Sequence, residues 1–196
     1  MRRILRFLGI GLALLVGAVF AVGVLGIITG QLKTYRIPSS AMEPTLHCAR
    51  PETGCEARFS DRIVANRLSY RLHDPQRGDI VVFVTPPAAL VKCGAGGTFV
   101  KRLVGLPGDV VELRLRAGNG YVYINGKPLD EPYIEASRRA MLEKFGPVTV
   151  KPGSYFVLGD NRSASCDSRY WGSVPRHNLI GKVTATYWPP NRVALR

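Results

Sequence analysis

The chain has 196 residues, 46% hydrophobic and 21% charged, with a formal net charge of +13. Its length suits one domain with a membrane anchor, or one domain with a small insertion. The positive charge admits nucleic acid, an anionic membrane surface or acidic substrates as partners. The Lys and Arg residues are scattered, with no basic run that would mark a nucleic-acid tail, so membrane lipids are expected and nucleic acid is not.

Arg2, Arg3 and Arg6 precede residues 7–29, which hold no charge. A secretory h-region runs to roughly 15 residues and a bilayer span to about 20, so the stretch predicts a transmembrane helix. Ala21-Val22-Gly23 has the small-x-small form of a cleavage site, and a removable signal peptide is the alternative. Arginines ahead of the span predict a cytoplasmic N-terminus (residues 1–6) and a domain on the outer face of the membrane (residues 35–196).

Arg36-Ile37-Pro38-Ser39-Ser40-Ala41-Met42-Glu43-Pro44-Thr45-Leu46 follows at once. Its prolines fix φ and push the preceding residues toward extended geometry, which predicts a short, rigid, extended segment. Such a segment can present a nucleophile beside an extended substrate. The cysteines Cys48, Cys55, Cys93 and Cys166 are an even number in a domain placed outside the cytoplasm. Cys48 and Cys55 flank a loop containing Pro51 and Gly54 and are the candidate disulfide; four free thiols packed as small apolar groups are the alternative. His47 has no second ligand spacing to support a metal site. His47, His73 and His177 all lie in turns or irregular stretches and are expected at the surface.

Beyond Tyr35 the pattern is strands and turns. Residues 61–70 alternate loosely, and the turn cluster at 74–79 leads into Ile80–Val84, a β-branched run that predicts a strand buried on both faces. Pro86-Pro87 ends it. Residues 98–104 and 110–113 read as strands joined by Leu106-Pro107-Gly108-Asp109. Tyr121-Val122-Tyr123-Ile124 before Asn125-Gly126 predicts a hairpin, because both turn residues tolerate positive φ. Residues 135–145 are the one expected soluble helix. Ser154–Leu158 and Leu179–Trp188 complete a mainly β domain, barrel-like or a folded sheet.

Two further stretches carry chemistry. Val100-Lys101-Arg102-Leu103-Val104-Gly105-Leu106-Pro107-Gly108-Asp109 sets a lysine in a strand. Strand neighbours face opposite ways, so Lys101 and Arg102 diverge and only one need be buried. A lysine desolvated among apolar side chains loses basicity until its neutral amine can take a proton. The other stretch, Gly159-Asp160-Asn161-Arg162-Ser163-Ala164-Ser165-Cys166-Asp167-Ser168-Arg169, is a polar, irregular loop.

In this order, behind an uncharged run, the three stretches resemble the motifs of bacterial type I signal peptidases: Pro-Ser-x-Ser-Met-x-Pro-Thr-Leu, the lysine segment, and Gly-Asp-Asn-Arg followed by Ser-x-Asp-Ser-Arg. The resemblance covers most of the chain after Tyr35. It implies a membrane-bound endopeptidase that removes signal peptides from secretory preproteins after Ala-x-Ala-like sites. It further implies Lys101 as general base of a serine–lysine dyad, Ser39 with the N–H of residue 41 as oxyanion hole, and Ser165 as the hydroxyl that orients Lys101. Asp167 and Arg169 match a structural ion pair, with Arg162 nearby. Ile37, Met42, Leu46, Val82, Phe99 and Val100 would line the substrate pockets. Residues from about 118 to 147 would be a reduced form of the family's variable subdomain. No cofactor and no metal is implied.

The departure is at position 41, where the family has its nucleophilic serine and this chain has Ala41, which cannot attack a carbonyl. Ser40 is the one adjacent hydroxyl, and on an extended segment it points the other way. The chain is then either a natural signal-sequence-binding protein that does not cut, or a serine-to-alanine form of the enzyme. The presence of Lys101 and Ser165 favours the second. A soluble, self-cleaving serine–lysine regulator is the rival from another class, opposed by the uncharged run at 7–29.

Overall fold

The computed structural model describes residues 2–140 and 144–196, with side chains from Leu14 onward except Ile28. Helix α1 (Arg2–Ile28) leads, and its large apolar side chains from Leu14 to Ile27 stand exposed. Among the described residues no helix is long and apolar enough to cross a membrane.

The elements that follow are β1 (Leu32–Arg36), β2 (Arg62–Asn66), α2 (Ser69–Leu72), β3 (Ile80–Val84), α3 (Pro87–Cys93) and β4 (Thr98–Gly105). Then come β5 (Val110–Arg116), β6 (Asn119–Ile124), β7 (Lys127–Pro128) and β8 (Phe145–Thr149). The chain closes with β9 (Ser154–Leu158), α4 (Ser168–Trp171), β10 (Val174–Pro175), β11 (Leu179–Trp188) and β12 (Ala194–Leu195). A larger sheet runs β1-β2-β11-β3-β4-β9-β10 with β12 on β11, and a smaller one runs β7-β6-β5-β8.

The β-branched run of β3 is central because β11 and β4 flank it and both its faces are covered. Ile80 and Val82 pack with Ile37, Met42 and Leu46 on one face. Val81 and Phe83 pack with Leu103, Tyr155 and Trp171 on the other, the period-2 alternation of a strand. A third cluster joins the sheets, with Val104, Val111, Phe156 and Leu158 at its centre. Gly105 lets β4 pass between them: a Cβ there would lie 2.8 Å from both Phe156 Cβ and Val111 Cγ2. The turn after β6 has Asn125 at φ 52° and Gly126 at φ 79°, the geometry that an Asn-Gly hairpin requires.

The secondary structure and cysteine pairing depart from expectation. The helix expected at 135–145 is not formed in its described part. Ala136–Arg138 makes one turn of 3₁₀ helix, Ala140 bridges to Asn119, and β8 begins at Phe145; residues 141–143 lie outside the described part. Arg139 is drawn to Glu131 and Gly120, and β8 pairs with β5, so tertiary bonds override a modest helix propensity. Pro87, expected only to end β3, also begins α3, where its fixed φ suits the first turn and its missing N–H costs nothing. All four cysteines are paired, Cys48 with Cys55 and, unexpectedly, Cys93 with Cys166 across 73 residues.

Candidate active site

The segment around residue 41 is not extended throughout. Ile37 N–H bonds Asp61 O at 2.9 Å, Ser39 is extended, and Ser40–Met42 then form a single 3₁₀ turn. Residues at the start of such a turn have N–H groups with no carbonyl partner inside it. Consecutive side chains on the turn point well apart. Ser40 Oγ faces the disulfide loop, lying 2.8 Å from where a Cβ on Gly54 would sit, while Ser39 and Ala41 line a cleft. Asn161 holds the turn from behind, its Nδ2 donating to Ser40 O at 3.1 Å and its backbone N–H to Ala41 O at 3.2 Å. Nothing local to Asn161 foretold this role beyond its place in the Gly-Asp-Asn stretch.

Lys101 enters the same cleft from β4. Only one of Lys101 and Arg102 needed to be buried, and both are. Arg102 is tolerated because Asp160 takes it in two bonds of 2.8 and 2.6 Å, Gly78 O accepts a third, and Tyr133 stacks on it at 3.8 Å. Asp160 also accepts from Thr45 Oγ1 at 2.5 Å, which ties the residue-41 segment to β4. Lys101 has no such partner among the described residues; its Nζ lies 5.6 Å from the centre of the Phe99 ring. Burial lowers its amine to about 8, with Arg169 pushing the same way and Asp167 and Asp160 opposing. At that value a neutral amine is accessible near neutral pH.

The third stretch closes the site. Gly159 is where it meets the first: a Cβ would lie 2.1 Å from Ser165 Oγ and 2.5 Å from Ala41 O, so only glycine permits the approach. Ser165 is buried and its hydroxyl has no hydrogen-bond partner among the described residues. The expected Ser165–Lys101 bond is therefore not formed in this structure. Asp167 caps α4, accepts from Gly159 N–H at 3.0 Å and pairs with Arg169 at 2.7 and 2.8 Å. Burial alone would push its carboxyl up, but Arg169 and these bonds hold it below the usual carboxylate range. Arg169 also bonds the carbonyls of Arg162 and Ser165. Arg162 itself turns away, to Glu131 and Gly159 O. The Cys93–Cys166 bridge pins this loop to the end of α3.

The cleft has a volume of about 160 Å³ and is lined by Ile37, Met42, Phe99 and Val100 of the six expected pocket residues. Leu46 and Val82 are not in its lining; they sit wholly buried behind it, packed against Ile37 and Met42. Tyr35 and Arg36, not foreseen, complete one wall. His73 and His177 are exposed as expected, but His47 is half-buried and faces Glu43.

The chain matches the family model described as "Signal peptidase, peptidase S26" over residues 9–188. A probable signal peptidase I-2 of Synechocystis sp. is 46% identical over 171 residues, 87% of this chain and 70% of that protein. A signal peptidase I of Leptolyngbya laminosa is 40% identical over 171 residues, 86% of this chain and 75% of that protein. A crystal structure of a signal peptidase I from Enterococcus faecalis is 37% identical, covers 57% of this chain and 98% of its own, and has a TM-score of 0.44.

Proposed function

The chain belongs to the signal peptidase family, peptidase S26, and from that premise we propose that it is a membrane-anchored signal peptidase I scaffold that binds preproteins without cutting them. Ala41 occupies the position from which a serine would act. The observation that carries this reading is Lys101: a buried amine lowered to about 8 and without an ion-pair partner among the described residues, in the same cleft as residue 41.

With serine at position 41, its Oγ attacks the scissile carbonyl carbon while Lys101 Nζ takes the hydroxyl proton. The C–N bond then breaks as Lys101 returns that proton to the leaving amine. A water, giving its proton to the same Nζ, releases the acyl group. Ser39 Oγ and the N–H of residue 41 donate to the oxyanion. Alanine keeps the N–H and removes only the attacking oxygen. Ile37, Met42, Phe99 and Val100 leave room for small side chains, and Leu46 and Val82 stiffen the wall behind them. Overlap then rejects large residues, which gives Ala-x-Ala selection.

The exposed apolar side chains of α1, from Leu14 to Ile27, support a membrane anchor. Left in water such a surface costs roughly 25 cal/mol per Å² relative to burial, and lipid covers it. In this reading residues 7–29 span the bilayer once, residues 1–6 are cytoplasmic and residues 35–196 lie on the outer face. Residues from about 118 to 147, in the smaller sheet, are the reduced variable subdomain.

Ala41→Ser is the direct test. It is expected to raise cleavage of a preprotein at its signal-peptide junction by at least roughly 10³-fold over the parent chain. Adding Lys101→Ala is expected to abolish that gain. An amine base works when neutral, so the rate should climb as pH rises through about 8. Cleavage by the parent chain that Ser40→Ala stops would overturn the assignment of position 41.

A further inference from the structure

We propose that Glu43, His47 and Glu56 form a binding site for a divalent transition-metal ion of the zinc type, tying the residue-41 turn to the disulfide loop. Among the described residues these three side chains bring one potential ligand atom each within 4.8 Å of one another. None of them lines the substrate cleft. The site is thus separate from the dyad, although Glu43 follows Ala41 by two residues.

The valences converge in a way that a hydrogen-bonded pair does not explain. Glu43 is wholly buried, and Cys48 N–H holds its Oε1 at 3.1 Å. Its other oxygen, Oε2, lies 2.5 Å from His47 Nδ1. Yet both Oε2 and Nδ1 are buried atoms without a hydrogen-bond partner among the described residues. Two potential ligand atoms that close, neither held by a hydrogen bond, offer a cation a place between or beside them. Glu56 is exposed and has one oxygen fixed, with Arg138 bonding its Oε1. Donors that fix one carboxylate oxygen while the other faces the ion are the usual support of a metal ligand. His47 is fixed too, its backbone N–H bonding Asp61 at 2.9 Å.

The donor set selects the ion. One imidazole nitrogen and two carboxylate oxygens suit zinc and its neighbours, whereas calcium and magnesium prefer oxygen alone. Bonds of about 2.0–2.2 Å place tetrahedral ligand atoms roughly 3.3 Å apart. The Nδ1–Oε2 pair must open a little, and the half-exposed Glu56 must swing in. Two carboxylates against one arginine leave net negative charge for the ion to neutralise. His47 also lines an open cavity of about 470 Å³. Cys55 sits next to Glu56, so the Cys48–Cys55 bridge is what brings the third ligand to the other two.

The test is zinc binding to the full, tag-free chain in detergent, by calorimetry and by competition with a chromophoric chelator. One zinc per chain is expected. His47→Gln and Glu56→Gln should each weaken it at least ~10-fold, and His73→Ala with His177→Ala should leave it unchanged. Cobalt in place of zinc should give the visible absorption of a four-coordinate site, lost in the same two variants. Zinc should also raise the melting temperature of the parent but not of Glu56→Gln, whose exposed side chain can change without disturbing the fold. Unaltered affinity in folded His47→Gln and Glu56→Gln, or zinc lost with His73 and His177, would overturn the proposal.

Discussion

Two clusters of buried charge meet at residues 159–162 and are treated in opposite ways. On one side Glu131 is shared by two guanidiniums: Arg139 bonds its carboxylate and carbonyl at 3.0 Å each, and Arg162 takes both carboxylate oxygens. On the other side Lys101 is buried to a similar depth with no partner among the described residues, beside a cleft that also holds residue 41. A buried charge with matched partners contributes to structure at little net cost, while one left unpaired stays in an unfavourable state that proton transfer can relieve. The difference separates the part of the molecule that holds shape from the part poised to react.

The sharpest way to break that contrast is Glu131→Gln. It strands two buried arginines and should cost about 3–5 kcal/mol of stability, read from denaturant unfolding followed by Trp171 fluorescence. A loss under about 1 kcal/mol would mean that the paired cluster is no more structural than the unpaired one.

Next is Lys101→Met, which should stabilise the chain by up to roughly 3 kcal/mol at neutral pH. The sign follows from the lowered amine: about 8 when folded against 10.5 when free. Between those values the unfolded chain binds more protons, so the parent gains stability as pH rises through that window. The variant's advantage is therefore full below pH 8 and fades toward 10.5. An advantage independent of pH would show that Lys101 is not strained by burial.

The smallest effect is expected from Ser165→Ala. Its hydroxyl has no hydrogen-bond partner among the described residues, so stability should change by less than about 1 kcal/mol. A larger loss would place Ser165 with the structural bonds rather than with the site.

Much of this architecture was legible from local pattern. The β-branched run of β3 marked a strand covered on both faces, and Asn125-Gly126 announced its turn. The stretches around Ala41, Lys101 and Ser165 were recognisable because their order and residue types are distinctive. Residues 135–145 misled because local helix propensity does not say whether a neighbouring strand will claim the backbone first.

What the sequence alone determined is what depends on neighbours along the chain: strand periodicity, turn chemistry, an uncharged run behind arginines, and an alanine at position 41. What only the tertiary structure decided depends on where distant segments come to rest. Asn161 bonding the carbonyls of Ser40 and Ala41, Cys93 joining Cys166, Glu131 neutralising Arg162, and Glu56 arriving beside Glu43 and His47 all bridge gaps in the chain. No periodicity spans such gaps, because these contacts follow from how the sheets pack and where Gly105 and Gly159 let segments approach. Burial with or without a partner, which separates Lys101 from Arg102 one residue away, is settled by the same packing.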